Sequence, residues 1–190
     1  MDEFAQSPIQ VVYGTTSVSF DVSVFELFGG LALGKPIRML ENILSVPEAL
    51  KQDQDVMLCC VPSAMGQLLR AGVDLSHLSV LNLAGEPVPP ALKAELDCSA
   101  MEVRNIYGPT EDTVYSCYTR LTNERNEIVI GKALPGHGLY VLDDQLQPVA
   151  VGVPAELCLG GVGVSPGYDG REDLTKERFV ANPYAAGETL

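Results

Sequence analysis

The uninterrupted apolar run Val56-Met57-Leu58-Cys59-Cys60-Val61 is the feature that most narrows what this chain can fold into. A strand with one wet face alternates apolar and polar residues, whereas a strand covered on both faces reads as continuously apolar. Similar strand signals recur at Gln10–Ser17, Pro36–Leu40, Val80–Ala84 and Val103–Tyr107. Helical stretches fall between them. Val24–Phe28 has Ser23 as its expected N-cap and closes near Gly29-Gly30 or Gly34, and Pro47–Gln52 is short with proline in its first turn. Ala64–Arg70 is opened by Pro62-Ser63 and stopped by Gly72, and Pro89–Leu96 follows the fourth strand. Strands alternating with helices predict an α/β fold with a parallel, doubly wound, flavodoxin-like sheet.

After about Leu121 the texture changes. Short strand signals at Ile128–Ile130, Leu139–Asp143 and Glu156–Leu159 alternate with glycine and proline, and Asp143-Asp144 reads as a hairpin turn. This predicts a small β-barrel-like or meander segment, with one helix at Glu172–Phe179. The expected division is an α/β subdomain over residues 1–121 and a β-rich subdomain over 122–190, truncated at its end.

In open α/β sheets, ligands bind beyond the carboxyl ends of the strands. Asp21 follows the first expected strand and Pro62-Ser63 the third; Gly85-Glu86-Pro87 follows the fourth and Gly108-Pro109-Thr110-Glu111 the fifth. The last bend belongs to Asn105-Ile106-Tyr107-Gly108-Pro109-Thr110-Glu111, which concentrates groups suited to a nucleotide. Tyr107 offers an aromatic face, Gly108 a backbone that can approach a ligand, and Thr110 a hydroxyl and an N–H. Glu111 offers the hard carboxylate oxygen that Mg²⁺ prefers. From the residues alone, a Gly-Pro turn with Thr or Glu at a helix start is an equally open reading.

Twelve basic residues stand against 25 acidic ones, a net charge of −13, which argues against nucleic acid or an anionic membrane as partner. No apolar run approaches the roughly 20 residues that span a bilayer, and the acidic start Met1-Asp2-Glu3-Phe4 lacks the basic region of a signal peptide. A cytoplasmic location is expected. The five cysteines, Cys59, Cys60, Cys98, Cys117 and Cys158, are odd in number and lack Cys-x-x-Cys spacing, so reduced thiols are expected. His77 and His137 read as structural or surface residues.

The heptapeptide resembles the Asn-x-Tyr-Gly-Pro-Thr-Glu motif of adenylate-forming enzymes, in particular the amino-acid adenylation domains of nonribosomal peptide synthetases. Three further stretches resemble that family in its order: Ser19-Phe20-Asp21-Val22-Ser23, Asn82-Leu83-Ala84-Gly85-Glu86-Pro87, and Glu156-Leu157-Cys158-Leu159-Gly160-Gly161 leading to Gly167-Tyr168. The resemblance implies activation of an α-amino acid with ATP to an aminoacyl-AMP. By it, Tyr107 stacks on adenine, the Asn105 amide reads its amino edge, and Gly85, Glu86 and Pro87 wall the nucleotide beside Gly108. Thr110 would contact the α-phosphate region and Glu111 would hold Mg²⁺. Asp21 would pair with the substrate ammonium; its alternative is a surface or N-capping aspartate.

Carried over position by position, the pocket comprises Asp21, Val22, Phe25, Cys59, Asn82, Ala84, Ile106, Val114 and Tyr115. Its lining is bulky and has no second charge, which disfavours charged side chains. Alanine is the expected substrate, with glycine, serine or valine behind it. Fatty-acid and aryl-acid ligases have no ammonium to neutralise, so Asp21 speaks against a fragment of an acyl- or aryl-CoA ligase. A noncatalytic module that binds nucleotide or amino acid is the other alternative. A peptidyl carrier protein bearing phosphopantetheine is the implied partner.

The chain departs from the family in lacking the upstream phosphate loop with its lysine, the ribose-binding aspartate, and the C-terminal lid with its catalytic lysine. An internal fragment, unable by itself to sustain adenylation and with an apolar face or edge left open, is therefore expected.

Overall fold

The computed structural model describes residues 6–190, so the acidic start Met1–Phe4 lies outside the described residues. The chain forms two compact units. One comprises Met1–Tyr107 and Tyr118–Gly131, the other Gly108–Cys117 and Lys132–Leu190.

The first unit is the expected α/β layer structure. Its strands are β1 (Val11–Gly14), β2 (Ile37–Met39), β3 (Val56–Cys60), β4 (Leu78–Leu83), β5 (Glu102–Tyr107) and β6 (Cys117–Leu121). They lie in the order β2-β1-β3-β4-β5-β6. The pairs β1–β2, β1–β3, β3–β4 and β4–β5 are all parallel. Helices α3 (Val46–Leu50), α4 (Pro62–Arg70) and α5 (Pro90–Glu95) each carry proline in the first turn, where its missing N–H costs nothing. Between β1 and β2 the chain is helical in three pieces: α1 (Val22–Val24), a π turn (Phe25–Gly29) and α2 (Gly30–Ala32).

Side-chain alternation splits the sheet into two cores. Tyr13, Leu58, Leu81, Leu83 and Val103 face one side, where Val46, Leu50, Met65, Leu68 and Leu92 of the helices meet them. Val12, Met57 and Val80 face the other, with Ile9 and the partly buried Phe25, Leu33 and Ile37. An irregularity between β3 and β4 steps the pairing from Val56↔Leu78 to Met57↔Val80, passing over Ser79. One extra residue reverses the phase of everything beyond it. It places Asn82 opposite Cys59 instead of Cys60.

Several sequence expectations need correction. Asp21, not Ser23, occupies the N-cap position of α1, and the Ser23 hydroxyl bonds back to the Phe20 carbonyl at 2.7 Å. Ile128–Ile130 is not a strand: the Asn105 side chain donates to the Val129 carbonyl at 2.9 Å, and Ile128 packs singly against the larger core. The strand beginning at Cys117 is not expected from the sequence, because its alternation of apolar and polar residues is weak.

The second unit contains β7 (Lys132–Ala133), β8 (His137–Leu142), β9 (Glu156–Gly161) and α6 (Glu172–Arg178). The expected barrel-like segment is not borne out: β8 and β9 form a two-stranded antiparallel sheet, running from His137↔Gly161 to Leu142↔Glu156. The Asp143-Asp144 turn is present, closed by Leu146 N–H donating to Asp143 O at 2.9 Å. All five cysteines are free thiols. Burial pushes the Cys117 thiol up to about 11, which keeps it protonated and inert. No helix among the described residues is long and apolar enough to cross a membrane.

Among the described residues, two acidic or basic side chains of the first unit are almost fully buried, Arg104 and Glu26. The Arg104 side chain, on β5, has no exposure and pairs with Glu102 at 2.6 Å, while Arg120 reaches the same carboxylate oxygen at 2.7 Å. Ser7 donates to the other Glu102 oxygen at 2.8 Å, and the Arg104 guanidinium lies 5.9 Å from the Tyr118 ring centre. Burial alone would raise the Glu102 pKa; the hydrogen bonds from Arg104 and Ser7 and the two positive charges outweigh it and hold the carboxyl below its ordinary value. Replacing Arg104 by methionine is expected to cost about 2–4 kcal/mol, since Glu102 loses its buried cationic partner and keeps only the more exposed Arg120 and the Ser7 hydroxyl. A carboxyl with a depressed folded pKa contributes stability above its unfolded pKa and loses it as pH falls through the folded one. Urea unfolding between pH 6 and pH 3 should therefore show a shallower acid loss in R104M than in the parent; parallel curves would refute the assignment.

Candidate functional site

Parallel pairing puts the carboxyl ends of β1, β3, β4 and β5 on one edge of the first unit's sheet. The loops leaving that edge carry Asp21, Pro62-Ser63, Gly85-Glu86-Pro87 and Tyr107, as the sequence leads one to expect. Asp21 starts α1, yet its side chain makes no capping hydrogen bond. The carboxylate therefore makes no capping contact although Asp21 holds the N-cap position, and the residue is half-buried.

Three of the sequence-predicted pocket residues share a face. Phe25 packs against the core formed by Val12, Met57 and Val80. Cys59 follows Met57 and Asn82 follows Val80 by two residues, so both point to that same side. Asn82 is fully buried, and its Nδ2 donates to Cys59 Sγ at 3.4 Å. Ala84 and Ile106 extend this face by the same alternation and are both buried. Val22 is half-buried beside Asp21.

The residues expected from sequence to wall a nucleotide differ in their surroundings. Gly85 has φ +82°, a left-handed backbone that glycine adopts without strain. The Glu86 carboxylate is engaged elsewhere: it accepts from Ser63 N–H at 2.9 Å and from the Ser63 hydroxyl at 2.8 Å, satisfying the start of α4. Pro87 is exposed. Asn105 is buried, with its amide nitrogen bound to Val129 O, which leaves the amide oxygen as the atom suited to a base amino group. Tyr107 ends β5 with 38% of its surface exposed.

In the second unit, Thr110–Asp112 forms a 3₁₀ turn, with Thr110 exposed and Glu111 half-buried. Two consecutive non-glycine residues follow in the left-handed region, Thr113 at φ 52° and Val114 at φ 72°. Tyr115 N–H donates to Thr113 O at 2.9 Å, closing a γ-turn around Val114. A β-branched residue at positive φ is strained, and such strain persists only where surrounding contacts over-determine it. Those contacts come from the segment after β9. Thr113 Oγ1 donates to Gly163 O at 2.6 Å, Ser165 N–H donates to Glu111 O at 2.7 Å, and the Tyr168 hydroxyl donates to Glu111 Oε1. The hydrogen bond from Tyr168 lowers the Glu111 pKa, keeping that carboxylate ionised. Val114 and Tyr115 are both buried.

From sequence, Gly108 is assigned to close approach of a ligand. The structure gives a nearer reason: a Cβ there would stand 2.4 Å from Val114 O and 2.6 Å from Tyr115 Cα. Two residues with hydrogen bonds to the segments of the candidate site escape notice in the sequence. Tyr168 stands only as the end of a motif, and Glu26 reads as part of a helix. Glu26 is 1% exposed, and an acid within Val24-Phe25-Glu26-Leu27-Phe28 is the signal that could have found it.

The profile of the AMP-binding enzyme family matches residues 1–169, so the chain belongs to that adenylate-forming family. Its sequence is 41% identical over 186 residues to a linear gramicidin synthase of Brevibacillus parabrevis, covering 96% of this chain and 4% of that protein. It is likewise 41% identical over 177 residues to the AMB antimetabolite synthetase AmbB of Pseudomonas aeruginosa, covering 90% of this chain and 14% of the relative. The chain thus spans a small part of the curated relatives it matches. Among solved structures, a four-domain nonribosomal peptide synthetase bound to AMP and glycine aligns with TM-score 0.85 and 27% identity, over 99% of this chain and 15% of that one. The Klebsiella oxytoca NpsA N-terminal subdomain shares the fold at TM-score 0.85 and 22% identity, over 100% and 51%.

Gly108→Ala is expected to destabilise the second unit by about 1–3 kcal/mol, because the backbone atoms it meets cannot give way as a side chain could. Urea unfolding of the variant measures this; a change within about 0.5 kcal/mol, the range of neutral surface substitutions, would show the turn to be more plastic than its contacts indicate.

Proposed function

We propose that this chain is the amino-acid-selecting part of a nonribosomal peptide synthetase adenylation domain. The reaction joins a carboxylate oxygen of the amino acid to the α-phosphorus of ATP and expels pyrophosphate, giving an aminoacyl-AMP. The observation that carries the reading is Asp21: an uncapped carboxylate at the ligand edge of a parallel sheet, beside the face built from Phe25, Cys59 and Asn82. An acid there neutralises a substrate ammonium through a charge-assisted hydrogen bond.

The side-chain pocket is assigned to Val22, Phe25, Cys59, Asn82, Ala84, Ile106, Val114 and Tyr115. Its bulk suits a small residue, and alanine is the substrate proposed, ahead of glycine, serine or valine. A methylene discriminates by only about 1–3 kcal/mol, so selectivity among these is modest. Tyr107 and the Asn105 amide oxygen serve adenine, Gly85, Glu86, Pro87 and Gly108 line the nucleotide with backbone, and Thr110 serves the α-phosphate.

Mg²⁺ fits the residues present. Glu111 offers one ionised, half-buried carboxylate oriented by Tyr168, and Mg²⁺ takes one or two carboxylates with waters and phosphate oxygens completing the shell. When bound, the ion supplies positive charge against the phosphates, a contribution this strongly acidic chain needs. A carrier protein with phosphopantetheine is the partner proposed to take the aminoacyl group, and the cytoplasm the proposed location.

In the polypeptide extended to a complete adenylation domain, Asp21→Asn is expected to raise the KM for the amino acid about 10- to 100-fold, the loss of one charged hydrogen bond. It should also abolish preference for alanine over propionate. Retained preference in pyrophosphate exchange would sink the assignment. The 190-residue chain, matching only 51% of the NpsA subdomain, is expected to show no exchange alone; robust exchange would overturn that expectation.

A further inference from the structure

Glu26 is a buried acid for which the reaction above has no use. It sits on the π turn Phe25–Gly29, a geometry that recurs at functional sites, and is 1% exposed. Its partners are hydroxyls and an amide, not a cation. Thr16 N–H donates to Oε2 at 3.1 Å, the Thr16 hydroxyl donates to Oε1 at 2.9 Å, and the Thr15 hydroxyl lies 3.5 Å from the same oxygen. Burial pushes the Glu26 carboxyl up, against those hydrogen bonds. A group that costly to bury needs a reason for its place.

The reason lies in what it ties together. Thr15 and Thr16 directly follow β1, and Glu26 follows the pocket residue Phe25. Between them runs the loop that delivers Asp21, and its crown is open to solvent, with Val18 80% and Phe20 66% exposed. The loop is braced at two points: by Glu26 across its feet, and by Ser23, which donates through N–H and hydroxyl to Phe20 O at 3.1 and 2.7 Å. The Thr15 hydroxyl also reaches Cys59 O at 3.4 Å, linking the same foot to the strand that carries Cys59.

We propose that Glu26 is a positioning residue for the amino-acid pocket: it fixes the β1–α1 loop so that Asp21 and Phe25 are held in register with Cys59 and Asn82. This rests on Asp21 being the ammonium-binding acid. Glu26 touches neither substrate nor nucleotide; it acts through the loop.

The test uses the complete adenylation domain and compares Glu26→Gln, Thr16→Val and Asp21→Asn. Glutamine keeps the volume but supplies one acceptor where Glu26 supplies two, so one Thr16 donor loses its partner. Glu26→Gln is expected to raise the KM for the amino acid about tenfold, with kcat and the KM for ATP within about twofold. Thr16→Val, which leaves the acid in place, is expected to raise the same KM about threefold, and Glu26→Gln combined with Thr16→Val less than multiplicatively. A merely structural role would move melting temperature, both KM values and kcat together, and that pattern overturns the proposal. Should Asp21→Asn leave the amino-acid KM unchanged, the underlying reading falls. Should Asp21→Asn raise it while neither Glu26→Gln nor Thr16→Val does, Glu26 alone is wrongly assigned.

Discussion

The parallel pairing of β1, β3, β4 and β5 is the constraint from which the first unit's site follows. Parallel strands must be covered on both faces, so the chain between them returns as helices and every strand points the same way. The consequence is chemical as well as architectural. Backbone N–H groups, helix starts and special turns collect at one edge, where the sheet leaves room for a ligand. The two cores supply the rigidity: Leu58, Leu81 and Leu83 on one face and Val12, Met57 and Val80 on the other are almost completely withdrawn from water. Truncating one such residue typically costs about 2–5 kcal/mol, a large share of a domain's stability.

Within that frame, polar groups hold the loops instead of apolar packing. Glu26 braces the loop after β1, Glu86 braces the start of α4, and Asn105 fixes the segment at Val129. Each is a side chain directing its hydrogen bonds to backbone or hydroxyl groups outside the regular ladders, which need a partner when withdrawn from water. The second unit follows the same pattern. Its strained Thr113–Val114 turn is kept by hydrogen bonds with Gly163, Ser165 and Tyr168, residues some fifty positions away in sequence. The open side of the α1 segment is different: Phe20, Val24, Phe28 and Leu31 are all exposed, a helical stripe with apolar character. The sequence leads one to expect an apolar face or edge but does not locate it on this helix.

Most of the first unit is legible in the amino-acid sequence because its signals are local. A continuous apolar run marks a strand buried on both sides, a proline before an apolar period marks a helix start, and glycine marks an end. The order of the strands in the first unit, the β6 strand and the small β8–β9 sheet are not, because pairing partners are chosen by contacts far apart in sequence. The misread strand at Ile128–Ile130 shows the same limit: its residues have strand propensity, yet Asn105 takes the carbonyl that a neighbouring strand would need.

What the sequence by itself determined is the family and the chemical groups offered to the candidate site: an acid at 21, an amide at 82, and an aromatic, glycine, threonine and acid at 107–111, each carrying its chemistry wherever it lies. What only the tertiary structure decided is which of these groups are available. The step in register past Ser79 sets Asn82 against Cys59, the capping of α4 engages Glu86, and the return of the chain after β9 brings Tyr168 to Glu111. Hydrogen-bond partners separated by tens of residues leave no periodic trace in a sequence, because a donor's need is written locally and its partner is supplied by the fold.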